Sequence, residues 1–178
     1  RTRKAGAVGL LLTEALSYSF RDPAAMSFLA GLSESCEDAG QGLLLIPAGP
    51  GRDEVDAAAV VQQAGVDGFV VYSVADDDPY LAAVLERHIP IVVCDQPREI
   101  PGASLVGIDD RAAMRKVADY LIGLGHRDIG VLCMRLGRDR MDGVVSQERL
   151  KSPHFHVQRE RIEGVRDAMV ASDMDPLS

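Results

Sequence analysis

The chain is short of positive charge: 19 Lys and Arg stand against 27 Asp and Glu, a net charge of −8. A surface that grips phosphates needs concentrated cations, so this chain is not expected to hold nucleic acid by itself. Cysteine is scarce too. Cys36, Cys94 and Cys133 are odd in number, far apart and without a Cys-x-x-Cys pair. That argues against a disulfide framework and against a zinc site, and fits small buried hydrophobes in a reducing compartment. No stretch approaches the ~20 apolar residues of a membrane span. No secretory signal is present, although the chain opens on Arg1 rather than Met. A cytoplasmic location, away from any membrane, is therefore expected.

Several catalytic signatures are also missing. The first apolar run is followed by Thr13-Glu14-Ala15-Leu16-Ser17, with no Gly-x-Gly-x-x-Gly, and no Gly-Lys-Ser/Thr phosphate loop occurs. Gly49-Pro50-Gly51 reads as a plain turn, because proline withholds an amide and the spacing is wrong. There is no Gly-x-Ser-x-Gly elbow. His154 and His156 could grip a metal but have no third ligand at sensible spacing, so they read as a solvated loop pair. Neither an enzyme, a cofactor nor a metal is expected.

What is present is a core-forming composition with a regular rhythm. At 47% hydrophobic and 26% charged, the chain can bury one ordinary domain or two small lobes. Ala7-Val8-Gly9-Leu10-Leu11-Leu12 reads as a strand buried on both faces. Asp22-Pro23 supplies an N-cap and a proline for the first helical turn. Ala25, Leu29, Leu32, Cys36 and Ala39 then recur on one helical face until Gly40. The unit repeats, with strands at 42–46, 68–72, 91–94, 105–108 and 128–132 and helices at 53–64, 79–87, 111–124 and 158–171. In the helix capped by Asp110, the inward set is Ala113, Val117, Leu121 and Leu124; in the last, Ile162, Val165 and Met169. Short strands alternating with longer helices predict an α/β fold, a parallel sheet with helices on both faces. The polar stretch 134–156, with Arg135, Arg138, Arg140, Arg149 and Lys151, breaks the rhythm. It reads as a mobile surface loop or, alternatively, a lid or subunit contact.

Ligands of such sheets bind beyond the carboxyl ends of the strands. The segments to search are therefore 13–21, 47–52, 73–78, 95–99 and Asp109. Asp95 and Gln96 follow the fourth strand directly; a carboxylate accepts two hydroxyl hydrogens, and an amide both donates and accepts. Asp95 is equally suited to a turn or cap. Tyr72 and Ser73 end the third strand. Tyr18 and Phe20 lie after the first, where a ring could cover the flat face of a sugar or base, or else anchor the loop to the core.

Taken in order, these segments resemble the regulatory domain of the lactose-repressor (LacI/GalR) family, whose fold is that of periplasmic sugar-binding proteins. The residues that carry the resemblance are the opening strand 7–12, Asp22-Pro23 with its helix through Leu29-Ala30-Gly31-Leu32, and Val66-Asp67-Gly68-Phe69-Val70-Val71. They continue with Ile89-Pro90-Ile91-Val92-Val93 and Asp95-Gln96-Pro97, then Val106-Gly107-Ile108-Asp109-Asp110. Leu124-Gly125-His126-Arg127-Asp128-Ile129 and Glu160-Arg161-Ile162-Glu163-Gly164 complete the series.

The resemblance implies a periplasmic-binding-protein-like domain of two lobes, residues 1–108 and an incomplete 109–178, with a ligand cleft between them. It implies a small sugar-like effector and a homodimer. It also implies operator DNA bound by a helix-turn-helix head absent from this chain, upstream of Arg1-Thr2-Arg3-Lys4. A full domain would continue past Ser178; alone, this piece would leave apolar sheet surface uncovered. Position by position, Asp95 and Gln96 correspond to the family's ligand-binding Asp-Arg pair and Arg161 to its sugar-gripping arginine. Tyr72 falls at a cleft-facing position. The sequence departs from the family at Asp22-Pro23-Ala24-Ala25, where sugar binders often carry Asn-Pro-Phe-Phe, and Tyr18 or Phe20 would have to supply the missing ring. Gln96 replaces a charged bidentate donor, which leaves sugar and nucleoside-like effectors both open. The alternative of the same fold is an extracytoplasmic sugar-binding protein of a transport system.

Overall fold

A computed structural model describes residues 4–12, 14–48, 54–137, 141–151 and 154–176. The Gly49-Pro50-Gly51 turn, the lead-in Arg1-Thr2-Arg3, Arg138 and Arg140 lie outside the described residues. The chain divides into two compact units, 1–106 and 107–178.

In the first unit, strands β1 (Ala7–Leu12), β2 (Gly42–Pro47), β3 (Gly68–Tyr72), β4 (Ile91–Cys94) and β5 (Ser104–Val106) form one parallel sheet in the order β2-β1-β3-β4-β5. The helices between them are α1 (Leu16–Ser19), α2 (Pro23–Asp38), α3 (Glu54–Gln63) and α4 (Pro79–Glu86). Side chains alternate across a strand, and β1, flanked by β2 and β3, shows both faces at work. Leu11 belongs to the larger core with Val61 of α3, Tyr80 and Leu81 of α4, and Phe69, Val71 and Val93. Leu10 and Leu12 belong to a second core with Leu29 of α2, flanked by Phe28, Val70 and Tyr72. The sheet is thus covered on both faces, as its continuous apolar runs predict. Edge strand β5, with all three residues exposed, is the exception.

An Asp-Pro pair starts each of two helices, α2 and α4. Asp22 accepts from the Ala24 amide at 3.2 Å ahead of Pro23, and Asp78 accepts from the amides of Tyr80 and Leu81 at 2.9 and 3.3 Å ahead of Pro79. Gly40 ends the α2 region with φ +64, a left-handed turn that glycine adopts without steric cost. Asp67 has a longer reach. Its carboxylate accepts from the amides of Ala5 at 2.8 Å and Gly6 at 2.7 Å, tying the entry of β1 to the start of β3. Those backbone donors hold its carboxyl below the ordinary range.

The second unit holds α5 (Asp110–Gly123), α6 (Gln147–Lys151) and α7 (His156–Ala171). Met114, Ala118 and Ile122 of α5 meet Val165, Ala168 and Met169 of α7. Gly164 permits this approach, since a Cβ there would overlap the Arg111 carbonyl oxygen. Arg111 clamps the same pair of helices through both oxygens of Asp167, at 2.6 and 2.9 Å.

Three expectations are corrected here. Residues 128–132 form no strand: among the described residues they have no ladder partner, and Leu132 is fully exposed. The buried face of α5 is not Ala113, Val117, Leu121 and Leu124. Val117 and Leu124 are exposed because α7 takes the Met114–Ala118–Ile122 face. Residues 134–156 are not structureless. They contain α6, bury Leu136, Leu150 and Phe155, and are braced by Arg149, whose guanidinium reaches the Met141 carbonyl at 2.8 Å. Smaller shifts occur elsewhere: α1 lies in what reads as a loop, and α7 begins two residues early. Among the described residues, no helix is long and apolar enough to cross a membrane.

Candidate functional site

At the carboxyl ends of β3 and β4, the register pairs Tyr72 with Cys94, so the next residues of both strands emerge side by side. Both turn sharply, Ser73 with φ 51 and Asp95 with φ 75. These left-handed conformations are uncommon for residues with a Cβ and direct each side chain away from the strand path. The backbone is secured on either side: the Ser73 amide donates to the Cys94 carbonyl at 3.0 Å, and the Asp95 amide to that of Val106 at 2.8 Å.

The side chains form a chain of polar groups. The Ser73 hydroxyl donates to Asp95 Oδ2 at 2.7 Å, and Gln96 Nε2 donates to the Ser73 oxygen at 3.3 Å. Gln96 is only 1% exposed, whereas Ser73 and Asp95 are half-buried. A buried amide thus orients a hydroxyl, which orients a carboxylate. Such a group accepts hydroxyl hydrogens well. Burial, with the Asp95 charge beside it, raises the Cys94 thiol above its ordinary pKa, which disfavours the reactive thiolate.

The other expected residues divide. Tyr72 does not stand open: its ring stacks on Phe28 of α2 at 4.1 Å between centroids, 12° from parallel. Tyr18 and Phe20 are each 53% exposed, so neither anchors the core. Asp109 is occupied as the N-cap of α5, accepting from the Ala112 amide at 2.9 Å. In the second unit, Arg161 is held by Asp110, the residue that follows Asp109. Arg161 Nε donates to Asp110 Oδ1 at 2.8 Å, with the carboxylate 2% and the guanidinium 37% exposed. The sequence offered Asp109 for the site and Asp110 for the cap; the structure gives the cap to Asp109 and the arginine to Asp110. The signal available was the Asp-Asp pair itself, since one aspartate suffices to cap a helix. Phe28 is a second residue the sequence reading missed, and its place in the amphipathic α2 gave no warning.

The second unit also contains an open groove of about 610 Å³, lined by Val131, Met141, Leu150, Ile162, Val165 and Met169 among others. It is mainly apolar, with Arg135, Asp142, Arg149 and Arg166 also in its lining, and includes none of the expected effector residues.

Comparison with known proteins decides the lineage. The family model of periplasmic binding proteins and the sugar binding domain of the LacI family matches residues 5–149. The chain belongs to this LacI-related family. It is 61% identical over 183 aligned positions to an HTH-type transcriptional regulator of Mycolicibacterium smegmatis, covering 100% of this chain and 50% of that protein. A LacI-family transcriptional regulator from Corynebacterium glutamicum superposes with a TM-score of 0.88 at 41% identity, covering 96% of this chain and 51% of that one. The CelR–cellobiose complex shares the fold, with a TM-score of 0.77 at 23% identity over 97% of this chain and 48% of that one. The chain therefore spans about half the length of the relatives it matches. Within this LacI-related domain, the parallel sheet flanked by helices is the expected periplasmic-binding-protein-like architecture, and the Ser73–Asp95–Gln96 cluster occupies its strand ends.

Proposed function

We propose that this chain is the effector-binding part of a DNA-binding transcription regulator, with a small sugar-like molecule as its effector. The observation that carries the reading is the Gln96–Ser73–Asp95 chain at the ends of β3 and β4, a pre-oriented acceptor for hydroxyls. In the first unit, the exposed rings of Tyr18 and Phe20 are the candidate covering surfaces, with Tyr72 held beside the cluster by Phe28; in the second, Arg161 is a candidate hydroxyl contact and Asp109 caps the helix that carries Asp110. The effector biases one of two conformations by its differential affinity and so changes operator binding. In this reading the operator is held by a helix-turn-helix head elsewhere in the polypeptide, in a homodimer working in the cytoplasm. The HTH-type name of the Mycolicibacterium relative supports regulation over the transport alternative, and the cellobiose bound to CelR supports a sugar-like effector.

The test is a thermal-shift screen of the full-length protein against sugars, polyols, sugar phosphates and nucleosides, followed by operator release. A ligand at a hundred times its dissociation constant adds about 2.7 kcal/mol, enough to move the melting temperature measurably. Silence across all four classes from a well-folded sample would remove the reading.

A further inference from the structure

We infer that Gln158 is a second effector contact on α7, meeting the part of the ligand next to the one that meets Arg161. The inference rests on the effector-binding reading and adds to it a specificity-determining residue that lies wholly within the second unit.

Tyrosine aside, five polar or charged residues are buried among the described residues: Ser19, Asp78, Gln96, Asp110 and Gln158. Four of them are paired. Ser19 donates to the Ala15 carbonyl at 3.4 Å, Asp78 accepts from the Tyr80 amide at 2.9 Å, Gln96 donates to Ser73 at 3.3 Å, and Asp110 accepts from Arg161 at 2.8 Å. Gln158 is 8% exposed, and its side chain makes no hydrogen bond among the described residues. Burying an amide without a partner costs stability. The fold does not require an amide there, because Gln158 heads a row that continues at helical spacing with Ile162, Val165 and Met169, where an apolar residue would fit. A glutamine in the first turn of a helix can turn back to bond the cap. Here Phe155 is the cap, and no such bond is made. A local cost without a structural return is the mark of a residue kept for function.

The neighbour of Gln158 on the helix surface shows what that function is. Residues three apart on a helix stand about 5–6 Å from each other at Cβ, and three residues on is Arg161. Arg161 is fixed in place, its Nε donating to Asp110 Oδ1 at 2.8 Å, while its two Nη groups make no hydrogen bond among the described residues. The helix beneath both is fixed as well, by the Arg111–Asp167 clamp and the close approach at Gly164. A pair of side chains on a braced helix is the geometry that binding sites need. Neither polar atom of the Gln158 amide is fully sealed from solvent, so the little surface left to the residue includes the end that can bond. The two groups are complementary. A guanidinium only donates, whereas a ligand hydroxyl also has a hydrogen to place, and Gln158 Oε1 accepts it. A site built to bond a hydroxyl in both directions rejects analogues that lack it.

The experiment uses the full-length regulator, with glucose, cellobiose, mannitol, glucose 6-phosphate and adenosine as probes. Probe affinity by isothermal titration and the melting temperature of the ligand-free protein are measured for the wild type, Gln158→Met, Gln158→Leu and Arg161→Ala. The two apolar variants guard against a poor fit of either side chain. In at least one of them the melting temperature should stay within about 3 °C of the wild type or rise, since an apolar side chain suits the row. In that same variant the affinity of the bound probe should fall at least about fivefold. If both variants melt more than about 3 °C lower, the amide serves the fold and the inference is overturned. A smaller fall in affinity in a stable variant overturns it too; when Arg161→Ala weakens the same probe, the effector reading stands without Gln158. No binding of any probe to folded wild type takes down both.

Discussion

Ser73 and Asp95, 22 residues apart in sequence, meet at 2.7 Å because two parallel strands end in register and both residues take left-handed backbone conformations. Neither conformation is comfortable for a residue with a Cβ, so the contact is sustained by the strands beneath it. Glycine fits the backbone at position 73, and asparagine tolerates that at position 95. Ser73→Gly and Asp95→Asn therefore remove the hydroxyl and the charge with little backbone penalty.

Both substitutions, and Arg161→Ala, are expected to weaken effector binding. The loss of one charged hydrogen bond corresponds to roughly 1.5–3 kcal/mol, or ten- to hundredfold in affinity. Isothermal titration of the three variants checks this. Unchanged affinity in all three would dissolve the site assignment.

Gly164→Ala is expected to destabilise the second unit by about 1–3 kcal/mol, since the methyl group meets the Arg111 carbonyl and must push α5 from α7. Gly31→Ala, on an open position of α2 with nothing within 4 Å of the added carbon, should gain about 0.5–1 kcal/mol. Hydrogen exchange on the amides of α5, α7 and α2 reads the two effects separately. Equal losses in both would contradict the packing.

Tyr80 is 1% exposed and its hydroxyl has no hydrogen-bond partner among the described residues. Tyr80→Phe should therefore leave stability unchanged or raise it by about 1 kcal/mol, whereas Tyr80→Ala should cost about 3–5 kcal/mol of core packing. Urea denaturation distinguishes the outcomes, and a large loss in Tyr80→Phe would mean that the hydroxyl is bonded in solution.

Acid should unfold the protein partly through Asp67 and Asp167. Backbone amides lower the carboxyl of Asp67, and Arg111 lowers that of Asp167. A depressed folded-state pKa gives stability that is present above the unfolded value of about 3.9 and lost as pH falls through the folded value. Stability followed from about pH 5 to pH 2 should therefore fall less steeply in Asp67→Asn and Asp167→Asn than in the wild type. Parallel curves would refute both assignments.

Much of the first unit was legible because its signals are local. The apolar runs of β1 to β4, the Asp-Pro start of α2 and the Gly40 stop each depend on neighbours along the chain. The strand-end rule then led to Ser73, Asp95 and Gln96. What failed depends on partners distant in sequence. The two sides of α5 are both apolar, and only the presence of α7 determines that Met114 and Ala118 are covered while Val117 is not. Residues 128–132 have strand composition, but an extended segment becomes a strand only beside another. Arg161 and Asp110 are 51 residues apart, beyond any periodicity, so the roles of Asp109 and Asp110 were legible only as a pair.

The grip of Asp67 on Ala5 and Gly6 makes β3 a mechanical member. Tension arriving at Lys4 is borne by two hydrogen bonds as well as by the peptide chain, so part of it passes through Asp67 into β3. A pleated strand hydrogen-bonded on both edges stretches very little. Traction applied at the Asp67 end is thus delivered at the Tyr72 end, next to the Ser73 hydroxyl, like a pull on a tie-rod.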